Sequence, residues 1–235
     1  MSKKIVGIHQ PNYFPWLGYF KKIADTDVFV FLDHVTINPK TAEYIKRVAI
    51  IQNNNKTVLT VPVSTIKGQT FVPVNLIEIN NPQFVAKKQL KSIVQAYGNH
   101  PFFNDVFTLV EEFYNDEEIL LAKRNIKFIS KICNLLKLDT ELKISSDYNF
   151  KNSSTDLLIE ICSTFSGTAY LSGDGAEGYQ EDDKFKQANI QLKKLNFKHP
   201  KYEQHKSPSF VSGLTIIDCL FNIGIIETRK LLLTK

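Results

Sequence analysis

His9-Gln10-Pro11-Asn12-Tyr13-Phe14-Pro15-Trp16-Leu17-Gly18-Tyr19-Phe20 decides the fold, because it crowds polar groups, aromatics and two prolines between two apolar runs. Lys4-Ile5-Val6-Gly7-Ile8 precedes it, and the wholly apolar Val28-Phe29-Val30-Phe31-Leu32 follows. The pattern predicts strand, helix, strand. Two apolar strands joined by a helix form a parallel unit buried on both faces, and open parallel sheets bind ligands beyond the carboxyl ends of their strands. His9, Gln10, Asp33 and His34 fall at those ends.

Pro11 and Pro15 force the turn, since each fixes its own backbone angle and biases Gln10 or Phe14 away from helix. Pro15 suits the first turn of a helix over roughly residues 15 to 25, whose unpaired N–H groups would face His9 and Asn12 and favour an anion. A plain strand-to-helix turn would explain Trp16, the single tryptophan, as core. It explains His9, Gln10 and Asn12 less well, because buried polar groups need partners.

The 235 residues suit one domain, expected to span 1–235. A formal charge of +5, from 29 basic against 24 acidic side chains with no basic tract, argues against a nucleic-acid partner. Cys133, Cys162 and Cys219 are odd in number and lie in apolar surroundings, so they read as reduced core thiols. Met1-Ser2-Lys3-Lys4 leads straight into a strand, and no apolar run reaches the roughly 18 residues of a membrane span. A cytoplasmic protein is expected.

Val48–Gln52 and Thr57–Pro62 flank an Asn-rich turn and predict an antiparallel hairpin, with Val72–Ile79 as a further strand. From Pro82 the pattern is helical: Phe84, Leu90, Ile93, Val94 and Tyr97 share one face, and Gly98-Asn99 supplies a stop. Helices are also predicted over Val106–Tyr114, Glu117–Leu138 and from Asn152 to about Gly167. Ala169-Tyr170-Leu171 then enters Ser172-Gly173-Asp174-Gly175-Ala176, where the glycines allow close backbone approach. Ile190–Leu195 reads as a strand, and a final helical pair is interrupted at Gly224. The fold class is α/β: a mainly parallel Rossmann-like sheet, an antiparallel hairpin section and a helical section. Asp218 lies in an apolar helix, where it either pairs structurally or reaches a site.

His-Gln-Pro-x-Tyr-Phe-Pro-Trp-x-Gly-Tyr, followed by an apolar strand ending in Asp33-His34, resembles the opening signature of the WbqC-like proteins. The resemblance continues in Tyr170–Ala176, in His199-Pro200-x-Tyr202-x-Gln204 and in Leu214–Asn222. After Asp33-His34 the chain departs from the family's Arg/Asn-rich segment, offering only Thr41–Arg47. The resemblance implies a role in bacterial surface-polysaccharide pathways such as O-antigen assembly, acting on a sugar precursor. It also marks Ser172, Gly173, Gly175, His199, Tyr202 and Gln204 as substrate-binding candidates.

Histidine exchanges protons near neutral pH, so His9 leads as general acid/base, with His34 and then His199 behind it and Asp33 orienting a histidine or binding hydroxyls. Gln10, Asn12, Tyr13, Trp16 and Tyr19 would surround the substrate. His9, Asn12, Asp33, His34, Ser172 and Gly173 are expected to line one pocket. No HExxH or CxxC spacing occurs, so no metal is expected. Ser172 lacks the Gly-x-Ser-x-Gly elbow of a nucleophile. The strand, His-turn, helix, strand order also resembles carboxylate-activating nucleotide enzymes such as pantothenate synthetase, which keeps ATP open as a cofactor.

Together with the sugar precursor that the resemblance implies, these residues lead to the expectation of a transferase that forms an amide on an amino sugar, with a nucleotide-sugar or other activated small molecule as partner. The alternatives are an ATP-dependent ligase and a non-catalytic nucleotide-sugar-binding protein. Oligomeric state is not legible.

Overall fold

The computed structural model describes residues 3–40, 42–64, 70–173, 181–205 and 207–234. Its centre is a five-stranded parallel sheet made from β1 (Ile5–His9), β2 (Val28–Phe31), β9 (Glu141–Ile144), β10 (Ala169–Ser172) and β11 (Gln191–Lys194). The order across the sheet is β11-β10-β1-β2-β9. The chain thus runs outward one way from β1 through β2 to β9, then returns to the other side of β1 for β10 and β11. The reversal makes the gap between the carboxyl ends of β1 and β10 the switch point at which such sheets bind ligands. Among the described residues this is the predicted α/β class with its Rossmann-like sheet.

Alternation along the strands builds two cores. Phe29 and Phe31 point into the larger one with Leu17, Phe20 and Ile23 of α1 (Leu17–Ala24). Val6, Ile8, Val28 and Val30 point to the opposite face, which Leu157 and Ile161 of α6 (Ser154–Thr164) and Phe185 of α7 (Asp182–Gln187) cover. Both faces are buried, so these strands read as apolar runs.

Between β2 and β9 the chain forms the hairpin section and much of the helical one. β3 (Thr36–Ile37) and β7 (Val72–Pro73) pair, as do β4 (Arg47–Gln52) and β5 (Asn55–Thr60) just after α2 (Glu43–Lys46), and β6 (Val63–Ser64) pairs with β8 (Glu78–Ile79). The predicted strand Val72–Ile79 is therefore two short strands split by a 3-10 turn at Val74–Leu76. Helices α3 (Pro82–Tyr97), α4 (Phe103–Tyr114) and α5 (Leu121–Leu135) follow, and α8 (Ile216–Leu233) closes the larger core against α1 and α4. Helix α5 begins at Leu121 instead of Glu117. The carbonyl oxygen of Ile119 first accepts from the Ile79 amide, which holds that stretch as an extended partner of β8.

Helix α1 likewise starts at Leu17, two residues later than Pro15 suggested. Phe14 sits in the left-handed region at φ 42° and Trp16 is extended. Trp16 bridges Thr215, while the Pro15 carbonyl accepts from the Ile216 amide. Tertiary pairing with the entry to α8 therefore occupies the segment that the proline suggested as first turn. All three cysteines are buried and free, and burial pushes each thiol up to about 12. No described helix is long and apolar enough to cross a membrane.

Candidate functional site

The predicted residues divide into two groups around the N-terminal turn of α1. The first lies along the carboxyl edge of the sheet. His9 ends β1, and its Nδ1–H donates to the Gln10 carbonyl oxygen at 3.0 Å. A carbonyl can only accept, so Nδ1 holds the proton and Nε2 keeps its lone pair. The ring meets Tyr19 edge-on at 4.9 Å, and the Tyr19 hydroxyl donates to the same carbonyl. Burial, helped by the Lys22 ammonium, lowers the His9 pKa to about 4, so the ring is neutral near pH 7.

Lys22 was not a sequence candidate. It is 3% exposed, its Nζ donates to the Ile8 carbonyl at 2.6 Å, and it lies 5.6 Å from the centre of the Tyr170 ring. It ties β1, α1 and β10 together beneath the switch point. One signal was available: position 22 falls one helical turn after Tyr19, on the buried face.

Asp33 and His34 follow β2 and meet the turn that follows β9. Asp33 is buried and accepts from Ser145 Oγ, Ser146 N and Ser146 Oγ at 2.9, 2.9 and 2.7 Å. Ser145 Oγ spends its proton on Asp33, so it accepts from His34 Nδ1 at 2.6 Å and again leaves a histidine with a free Nε2 lone pair. Ser145 carried no sequence signal beyond its place after a short strand.

Ser172 ends β10, its backbone one step past the Gly7–Leu171 pair and so beside β1. Its hydroxyl donates to the Lys193 carbonyl at 3.2 Å, a structural bond between neighbouring strands. Gly173 follows with open space where a side chain would stand. Gly175 lies outside the described residues. Asn12 is buried.

Tyr13 corrects the expectation of a substrate-facing ring. It is 1% exposed, packed on Phe14 and Phe113, and its hydroxyl bonds Gln89 and Tyr114. Tyr19 is buried as well and acts through its hydroxyl on the Gln10 carbonyl.

The second group gathers around Asp218. Trp16 turns away from His9 and packs against Phe197 at 5.2 Å and His199 at 6.4 Å. A side chain at Gly18 would collide with that indole, so glycine there lets the ring lie across α1. His199 donates from Nδ1 to the Pro200 carbonyl; its Nε2 is buried with no hydrogen-bond partner among the described residues, and burial lowers its pKa. Next to it, Tyr202 donates to Asp218 Oδ1 at 2.6 Å. Gln204 also reaches Oδ1, at 3.3 Å, and Tyr97 donates to Oδ2 at 2.9 Å. Asp218 is 1% exposed, and burial raises its pKa against the pull of these donors. Asp218 is thus paired structurally, and it also borders a cavity of about 250 Å³. That cavity lies between the β4–β5 turn at Asn53 and Asn54, the end of α3 and the first turns of α8. His100 and His205 also face it, their rings 5.1 Å apart.

The structure thus brings Tyr202 and Gln204 together with Asp218, and places His9, Asp33, His34, Ser172 and Gly173 on a common sheet edge. Among the described residues, no three His, Cys, Asp or Glu side chains converge in a way that could hold a metal.

A family model described as the WbqC-like protein family matches residues 10–230, a span that contains both groups apart from His9. The chain belongs to the WbqC-like protein family. This WbqC-like chain is also 29% identical over 229 residues to the "Uncharacterized protein Rv1507c" of Mycobacterium tuberculosis, covering 94% of each chain. No solved structure matches it.

Proposed function

We propose that this WbqC-like protein is a transferase that forms an amide on the amine of an amino-sugar precursor of a bacterial surface polysaccharide. The observation that carries the reading is His9. It is a neutral imidazole at the end of the central strand, beside the switch point, with Nδ1–H anchored and the Nε2 lone pair available. In the reaction the amine nitrogen attacks an activated acyl or aminoacyl carbonyl. The C–N bond forms, the bond from the carbonyl carbon to its leaving group breaks, and His9 Nε2 takes the amine proton and returns it to the leaving group. Gly173, with open space at its α-carbon, supports close approach of substrate to backbone on the neighbouring strand. The histidine favours an enzyme over a protein that only binds, since binding alone does not require an imidazole anchored through Nδ1 with Nε2 left as an acceptor at the end of the central strand.

The test begins with mass spectrometry of small molecules retained by the purified protein, then incubation of nucleotide-linked amino sugars with acyl and aminoacyl thioesters. Amide product that falls at least 100-fold in His9→Asn, with sugar binding retained, supports the reading. Full turnover in His9→Asn removes His9 from the chemistry.

A further inference from the structure

Helix α1 reaches the end of β1 at two carbonyls, one on each side of His9. Tyr19 and Lys22, one helical turn apart, are both buried, and they donate to the Gln10 carbonyl at 3.0 Å and to the Ile8 carbonyl at 2.6 Å. The His9 carbonyl between them accepts from the Leu32 amide on the β2 side. Carbonyls alternate along a strand, so the Ile8 oxygen points to the β10 side, where the β1–β10 register ends at Gly7 opposite Leu171. Lys22 therefore takes a strand carbonyl just where that ladder stops. At Gln10 the carbonyl receives both the Tyr19 hydroxyl and His9 Nδ1–H, which fills its two lone pairs. The Asn12 backbone amide approaches the Tyr19 oxygen as a donor, so the single hydroxyl proton is committed to Gln10.

We propose that Tyr19 is the positioning residue that sets the working form of His9, holding the Gln10 carbonyl so that Nδ1 keeps the proton and Nε2 faces the reaction, with Lys22 gripping the strand on the other side. The proposal rests on the reading of His9 as the group that takes the amine proton, and it supplies the part of the fold that prepares the imidazole for that task. The tautomer of a histidine is set by the bond that its other nitrogen makes, so whatever fixes the Gln10 carbonyl fixes the tautomer. The Tyr19 ring, edge-on to the imidazole at 4.9 Å, fixes the plane as well. Lys22 adds charge: among the described residues it is the charged group acting on the ring, it works with burial to keep the imidazole neutral, and the buried Tyr19 phenol stays un-ionised beside it.

Nitrogen NMR of the full chain with isotope-labelled histidine tests this, the His9 ring being assigned by the signals that His9→Asn removes. Near pH 7 the natural chain is expected to show one tautomer, with Nδ1 protonated and Nε2 bare. Tyr19→Phe keeps the ring and its packing on His9, Phe20 and Phe29 but lacks the hydroxyl, so the two nitrogen signals should move toward one another as the second tautomer becomes populated. Lys22→Met should instead raise the pH midpoint of His9 from about 4 toward 6.5, by about 0.5 or more, because a neighbouring positive charge is gone. Tyr19→Phe decides the matter even if Lys22→Met does not fold. Mixed tautomers in the natural chain, an unchanged tautomer in Tyr19→Phe, or an unchanged midpoint in folded Lys22→Met overturns the proposal. Full turnover in His9→Asn alongside a tautomer lost in Tyr19→Phe would remove His9 from the chemistry and leave the grip of α1 standing.

Discussion

Asp33 and Asp218 are both buried carboxylates held by neutral donors, yet they do different work. The three bonds to Asp33 come from two consecutive residues, Ser145 and Ser146, so they fasten one turn to the end of β2 and fix His34 through Ser145. Asp218 is held instead by Tyr97, by Tyr202 and Gln204, and by Asn222 of its own helix, on three separate segments, and the group they hold borders a cavity. Hydrogen-bond satisfaction alone therefore does not separate a carboxylate sealed against a turn from one at the wall of a cavity. The space beside it does.

The largest expected effect concerns the closed site. Asp33→Ala leaves several buried donors without partners, each costing about 1–3 kcal/mol, so a loss of about 4 kcal/mol is expected in urea unfolding. An unchanged midpoint would end the view of Asp33 as a fastening for the 145–147 turn.

His9 gives the next effect, through pH. Its folded-state pKa, about 4, lies below the unfolded value near 6.5, so the unfolded chain binds the extra proton between those values. Its contribution is fully present above pH 6.5 and is lost as pH falls toward 4. With a discount for its partial exposure the loss is about 2 kcal/mol. Asp218 has the opposite sign: its raised pKa makes acid favour the folded state, and that contribution is lost as pH rises through the folded value. Urea midpoints from pH 7 to 4 should slope less in His9→Asn than in the natural chain. Identical slopes would show that His9 is not the group responsible.

Gly224 comes third. At φ 75° it breaks α8 in the left-handed half of backbone space, and a Cβ there would stand 2.8 Å from the Phe102 ring. Gly224→Ala should cost roughly 1–3 kcal/mol by thermal melting, because a side chain there is strained by the backbone angle and meets the Phe102 ring. A melt unchanged by this substitution would mean that the helix absorbs the strain. The smallest effect belongs to Tyr13→Phe, which loses one buried hydroxyl network for about 1 kcal/mol and should leave sugar binding intact. A tenfold loss of binding in that variant would return Tyr13 to the site.

The unit β1–α1–β2 was legible because both strands are apolar runs and the prolines mark the turn between them. β9 was not, since Glu141-Leu142-Lys143-Ile144 is a short edge strand with only two apolar positions. On α3 the apolar residues misled: Phe84 and Val94 are 60% and 44% exposed, while polar Gln89 is buried, where it bonds Tyr13 and Tyr114. Within the candidate site, His9 could be found from its place at a strand end. Ser145 could not, because its importance comes from partners on a distant segment, and Lys22 could be found only from its place one helical turn after Tyr19. Tyr202 and Gln204 were marked through the family resemblance, but their convergence on Asp218 depends on how a loop folds back over the start of α8.

The order of strands also has a consequence for how the protein is made. β1 leaves the ribosome before the four other strands of the sheet and is the central one, and it pairs on one side with β2, its near neighbour in sequence. Its other side must wait for β10, where Ile5 meets Ala169. Until that late segment emerges, an apolar central strand keeps one edge without its native partner, and closing so long a loop slows folding. Nascent chains halted before residue 169 should therefore engage chaperones strongly, and release from them should coincide with synthesis of β10.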